Sequence, residues 1–169
     1  MIILGVDPGY AIVGFGVLKY ENKRFGVLDF GAITTDAGKN FPERLKDIYD
    51  DLIFLFDKYK PDVMSIEKLF FNTNRKTAID VAQARGVILL AAKKAGAQIY
   101  EYTPLQVKQS VVGYGRAEKK QVQEMTRQLL GLSAVPKPDD TADALAMAIC
   151  HAHCSASGIT GLASALKKI

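Results

Sequence analysis

The first twenty residues constrain the rest of the chain. Ile2 to Val6 is an unbroken apolar run, as expected of a strand buried on both faces. It ends in a carboxylate, Asp7, and Pro8-Gly9 turns the backbone at once. A second β-rich run follows to Tyr20, in which Gly14 and Gly16 leave room for close backbone approach. A charged group thus sits at the mouth of a buried strand beside a hairpin of little bulk. That suits a metal or phosphate site, but Asp7 could equally cap its own turn. The choice rests on the remaining residues.

A third strand is expected over 24–34, and three strands so close in sequence form an antiparallel meander. Asn40 caps a helix to Tyr59, with Glu43 in its first turn and Leu45, Ile48, Leu52, Leu55, Phe56 and Tyr59 as its buried stripe. Lys60-Pro61 stops it. The short apolar run Val63 to Ile66 then reads as a strand parallel to the first. It too ends in a carboxylate, Glu67, and alternation places Lys68 on the opposite face. A carboxylate at a buried strand end is costly unless a cation meets it, either a distant Lys or Arg or a metal ion.

Leu69 to Lys76 contains Phe70 and Phe71, then amides, then Arg75 and Lys76. Aromatic stacking with cationic phosphate contacts is how proteins hold unpaired bases. The plainer reading puts one Phe in the core and one on the surface. A long helix is expected over 74–95, with Ala78, Ala82 and Gly86 as a small-residue ridge for close packing within the domain or across a symmetric dimer. A strand over 98–102 precedes a helix that opens with Thr103 as cap and Pro104 at its first position and carries Lys108. Beyond the flexible loop around Arg116, a helix over 117–130 carries Lys119, turns Val122, Met125 and Leu129 inward, and ends at Gly131. Thr103 to Lys137 holds six Lys or Arg against two Glu, so the mild net charge of +4 is concentrated beside a glycine-rich loop. A charge run is usually a solvated face, and its concentration here strengthens the case for a phosphate-binding one.

Asp139, Asp140 and Asp143 precede an apolar helix over 144–152. Asp139 reads as its cap, and Asp140 and Asp143 are three apart on one face. All three acids could simply satisfy the helix start. Cys150-His151-Ala152-His153-Cys154 resembles a metal cluster, but on a helix these side chains spread around the axis, and free thiols in a reducing compartment fit best. No apolar run reaches membrane-spanning length and the N-terminus has no signal-peptide pattern, so a cytoplasmic protein with no membrane is expected. Residues 1–154 read as one domain and 155–169 as a loosely ordered tail.

If the two strands ending in Asp7 and Glu67 are parallel neighbours, both acids leave one sheet edge. The last helix then needs only to lean its first turn there, and four carboxylates meet. They require cations. All-oxygen ligands select Mg²⁺ first, with Mn²⁺ as a substitute, and two ions about 3.5–4 Å apart would clamp a phosphodiester.

This arrangement resembles the ribonuclease-H-like superfamily of nucleases, and more narrowly the RuvC family of crossover-junction endodeoxyribonucleases. The residues that carry the resemblance come in the family's order: Ile3 to Gly9, Ile66-Glu67 with Phe70, Gln83 to Gly86, Gln106 to Gln109, Gly113 with Ala117-Glu118-Lys119, and Asp140 to Ala146. The resemblance implies an α/β, ribonuclease-H-like fold with a five-stranded mixed sheet flanked by α-helices. It implies Asp7, Glu67, Asp140 and Asp143 as catalytic, metal-binding acids, with Lys108 and Lys119 near the scissile phosphate. Phe70 would meet a base at the opened crossover, a role Phe71 could share. It implies a homodimer, paired nicks in two strands of a four-way DNA junction, and work alongside the branch-migration proteins RuvA and RuvB. The ridge at Ala82 and Gly86 is the candidate interface. Asp139 and Asp140 are adjacent, and the spacing to Asp143 selects Asp140.

Three other readings compete. A ribonuclease-H-like nuclease acting on RNA would lack the Phe70 loop and the Lys108 and Lys119 context. An actin-like or sugar-kinase ATPase needs two such lobes and a far longer chain than 169 residues. A non-catalytic junction-binding protein has no use for four clustered acids.

Overall fold

The computed structural model describes residues 1–68 and 75–156, with side chains of residues 75–77 outside that description. Strands β1 (Ile2–Asp7), β2 (Ile12–Glu21) and β3 (Arg24–Thr34) form the expected meander, both pairings antiparallel. Helix α1 (Phe41–Tyr59) starts where the Asn40 side chain accepts the Glu43 amide at 3.0 Å, and it ends at Lys60, whose φ of 47° is left-handed. Strand β4 (Val63–Glu67) lies parallel to β1, and β5 (Gln98–Tyr102) parallel to β4. Helix α2 (Arg75–Lys94) joins them. The result is one five-stranded mixed sheet in the order β3-β2-β1-β4-β5.

Helices α3 (Pro104–Val112), α4 (Lys119–Leu129) and α5 (Asp139–Ala156) follow. Thr103 and Gln106 cap α3 reciprocally, the Thr103 hydroxyl accepting the Gln106 amide at 3.2 Å and Gln106 Oε1 accepting the Thr103 amide at 2.9 Å.

The two faces of the sheet are filled differently. Leu4, Val6, Val13, Val17, Met64 and Ile66 form one face and pack on Ile48, Leu52 and Phe56 of α1 and Ile88 of α2. Each such side chain contributes about 1.5–3 kcal/mol by leaving water. The other face carries Ile3, Leu18 and Tyr102 under α5, but its centre is almost bare. Gly5 pairs with Gly16, and Gly14 pairs with Asp7. A Cβ on Gly5 would stand 2.0 Å from the Ala144 carbonyl oxygen, and one on Gly14 would stand 2.0 Å from that of Asp140. The helix backbone therefore rests directly on the sheet backbone. Ser65 Oγ donates to the Met147 carbonyl at 2.7 Å, and Thr141 Oγ1 donates to the Gly31 carbonyl at 3.0 Å. α5 is buried on nearly all sides from Thr141 to Ala152, because α3 and α4 cover its outer face.

Some boundaries and one orientation differ from expectation. α5 begins five residues before Ala144, because the acids form its first turn. Asp139 is therefore inside the helix rather than its cap, and Lys137 Nζ holds its carboxylate at 2.6 Å. The helix also runs past residue 154 to Ala156, so the expected tail boundary falls inside it; residues 157–169 lie outside the described residues. Leu129 does not face inward: it is 37% exposed, and Val122, Gln123 and Thr126 turn toward α5 instead. Among the described residues, Thr126 Oγ1 is buried without a hydrogen-bond partner, and buried Gln123 faces the Asp139 carboxylate. No helix among the described residues is long and apolar enough to cross a membrane.

Candidate active site

Asp7 and Glu67 follow Val6 and Ile66, the last paired residues of two parallel strands. Gly5 and Ser65 are register partners, so both acids point, two residues on, to the α5 side. The bare floor sets the third and fourth acids. Gly14, opposite Asp7 in the register, touches the Asp140 backbone, so Asp140 sits over β2 beside Asp7, and Asp143 follows one turn along α5.

The acids act on one another electrostatically. Burial, then the charges of Asp143, Glu67 and Asp140, push the Asp7 carboxyl up to about 8, with Lys119 opposing. Burial and Asp143 raise Glu67, again against Lys119. Asp143 is raised by burial, while its hydrogen bond and ion pair to Lys119 pull the other way. Four acids thus share one field, and the only cation among the described residues paired to any of them is Lys119, whose Nζ is 2.8 Å from Asp143 Oδ2. Burial disfavours the Lys119 ammonium, but Asp143, Asp139 and Asp7 outweigh it and raise its affinity for the proton.

The surroundings fix the two strand ends. Thr35 Oγ1 donates to the Tyr10 carbonyl at 2.7 Å and accepts from Arg44 Nε at 2.8 Å, while the Arg44 guanidinium lies 4.8 Å over the Tyr10 ring. That pins the turn after Asp7. From the other face, Arg85 ion-pairs with Glu101 and directs Nε to the Glu67 carbonyl at 3.5 Å. Lys119 opens α4, where the Glu118 amide donates to Gln121 Oε1 at 2.8 Å.

The donor set has the chemistry of a hard divalent cation site, with carboxylates only, partly desolvated and short of positive charge. Among the described residues, no three His, Cys, Asp or Glu side chains stand arranged to hold an ion as they are. Lys119 meets part of the charge in their midst.

The other expected residues divide. Lys108 is half-buried on α3 and Arg116 exposed in the following loop, and neither pairs with an acid among the described residues. Phe70 and Phe71 lie outside the described residues, as do the side chains of Arg75 and Lys76. On α2, Ala82 is half-buried and Gly86 is exposed, with nothing among the described residues within 4 Å of a Cβ added to it. The Cys150–Cys154 run is engaged in packing. His151 Nδ1 meets the Tyr102 hydroxyl at 2.8 Å, burial lowers the imidazole to about 4, and His153 Nδ1 meets the Ser110 carbonyl at 3.0 Å. Reading the residues alone missed the parts played by Arg44, Arg85 and Asp139. Arg85 belongs to the Gln83 to Gly86 motif, but its partner Glu101 is on another element and leaves no local signal.

Known proteins match this chain over most of its length. A family model described as "Crossover junction endodeoxyribonuclease RuvC" matches residues 3–151. A protein of that name from Ruminiclostridium cellulolyticum is 62% identical over 151 residues, 89% of this chain and 91% of its own. The solved structure of Thermus thermophilus RuvC superposes with a TM-score of 0.87 at 35% identity, covering 94% of this chain and 97% of that one. The same protein in complex with Holliday junction substrate superposes with a TM-score of 0.85 at 32% identity, over the same shares of the two chains.

Proposed function

The chain belongs to the RuvC family of crossover junction endodeoxyribonucleases, and from that membership we propose that it resolves four-way DNA junctions by paired, symmetric nicks in two strands of like polarity, in recombination and DNA repair. The observation that carries the proposal is the contact of α5 with the glycine floor, which sets Asp140 over Gly14 opposite Asp7 and leaves Asp7 with its carboxyl raised to about 8. Asp7, Glu67, Asp140 and Asp143 would hold the divalent cations, and two Mg²⁺ ions, or Mn²⁺ in their place, would there supply water activation and charge stabilisation at the leaving oxygen.

The protein's own groups do the rest. Lys119 and Lys108 meet the non-bridging charge of the scissile phosphate, and Arg116, Arg75 and Lys76 hold the flanking backbone, which positions the strand without reading its sequence. Phe70, with Phe71, stacks on a base at the opened crossover. A junction has approximate two-fold symmetry, so a homodimer offers one site to each of two strands. The outer face of α2 supports that dimer: Ile79 and Leu90 are 65% and 55% exposed, with Ala82 and the open Gly86 between them. RuvA and RuvB are the expected partners, in the cytoplasm.

A synthetic mobile four-way junction, incubated with Mg²⁺ or with chelator beside linear duplex of the same sequence, tests the reading. Paired metal-dependent nicks in the junction alone, absent from Asp7→Asn, support it. Tight junction binding without cleavage under either metal would make the protein a binding module. Cleavage of RNA or linear DNA instead would cancel the roles of Phe70 and the dimer.

A further inference from the structure

Asp139 faces the same ammonium that now occupies Asp143. Lys119 Nζ stands 2.8 Å from Asp143 Oδ2 and 3.7 Å from Asp139 Oδ2. The second Asp139 oxygen, Oδ1, meets Lys137 Nζ at 2.6 Å, Gln123 also hydrogen-bonds this carboxylate, and Oδ2 faces Lys119. Asp139 and Asp143 are four apart on α5 and share a face, so the ammonium lies between two anionic seats on one rigid helix. Only Asp143 belongs to the group of acids around Asp7.

A divalent cation that takes Asp143 must displace an ammonium that already holds it, because two cations compete for the same oxygen. We propose that Asp139 is a positioning residue that receives Lys119 when a divalent cation claims Asp143. The ammonium then closes a 3.7 Å separation rather than returning to solvent, and it stays charged beside the site. The handover makes Asp143 easier to vacate and so strengthens cation binding. It also keeps Lys119 where the phosphate arrives. The inference rests on the cation-binding role given above to the four acids.

The test is a Mg²⁺ titration of the full chain without DNA, followed through the backbone amide resonances of residues 140 and 143. It compares wild type, Asp139→Asn, Lys119→Ala and the double variant. Asn keeps the size and shape of Asp in the first helical turn, so the helix is expected to hold, and the unfolding temperature checks that. The expected result is that Asp139→Asn weakens Mg²⁺ binding roughly threefold to tenfold when Lys119 is present and less than about twofold when it is absent. Asp139→Glu should recover most of the loss. Equal weakening in both backgrounds would reduce Asp139 to a diffuse negative charge and overturn the handover, as would no weakening in either. A wild-type protein whose residues 140 and 143 do not respond to Mg²⁺ would overturn the cation reading itself, and the handover with it.

Discussion

The two faces of the sheet are held by opposite means. Toward α1 and α2, large side chains such as Leu4, Val6, Met64 and Ile66 meet Ile48, Leu52 and Ile88 and keep the helices at ordinary side-chain distance. Toward α5, Gly5 and Gly14 remove that spacer, so the helix backbone rests on the strands, and Gly16 makes room for the Leu145 side chain. The first arrangement provides stability and no chemistry. The second gives up apolar bulk at its centre and in return places a helix start beside two strand ends. Asp140 comes beside Asp7 because glycine leaves no side chain between the backbones that carry them. The helix-on-glycine contact is thus a device for concentrating charge as well as for packing.

If the faces divide the work in this way, damage to each should separate stability from cleavage. Ile88→Ala empties a fully buried site on the α2 face and should cost about 2–5 kcal/mol in chemical denaturation, while folded protein still cleaves a junction near the wild-type rate. A comparable fall in cleavage per folded molecule would break the distinction. Gly14→Ala should cost less stability, about 1–3 kcal/mol, yet lose most cleavage, because its Cβ pushes on the Asp140 backbone rather than on a side chain that can rotate away. Retained cleavage in that variant would show that Asp140 need not sit so close. Ser65→Ala sharpens the comparison at the smallest scale. It leaves the buried Met147 carbonyl without its side-chain donor and should cost about 1 kcal/mol, with cleavage little changed.

Much of this was legible in the residues. β3 spans 24–34 as expected, and Asn40 and Thr103 cap the helices their positions announced, since capping and turn chemistry are local. Gly14 and Gly16 were readable as places of close approach. Gly5 was not, because its meaning depends on pairing with Gly16 on another strand. The helix period placed Leu129 inward. The structure turns it out because a short helix on the rim buries only the stripe that α5 covers, and that stripe includes Gln123 and Thr126. The start of α5 was misjudged because an acidic run after proline reads as a cap cluster, whereas here its side chains are engaged by Lys137 and Lys119. The four acids could be proposed from strand ends and spacing. Their neutralisation by Lys119 could not, because that contact joins two helices.

The most direct measurement is thermal unfolding of wild type and Asp7→Asn in chelator across pH 5 to 9, repeated with Mg²⁺. Burial and the neighbouring acids push the folded Asp7 carboxyl up to about 8 from its ordinary value of 3.8, so the folded state holds the proton more tightly than the unfolded one. Stability from this group is fully present below the ordinary value and is lost as pH rises through about 8. The expected result is a fall in the wild-type unfolding temperature with rising pH, a smaller fall in Asp7→Asn, and a fall largely removed from wild type by Mg²⁺. Identical pH profiles for the two proteins, unchanged by Mg²⁺, would contradict a shared and uncompensated carboxylate site beneath α5.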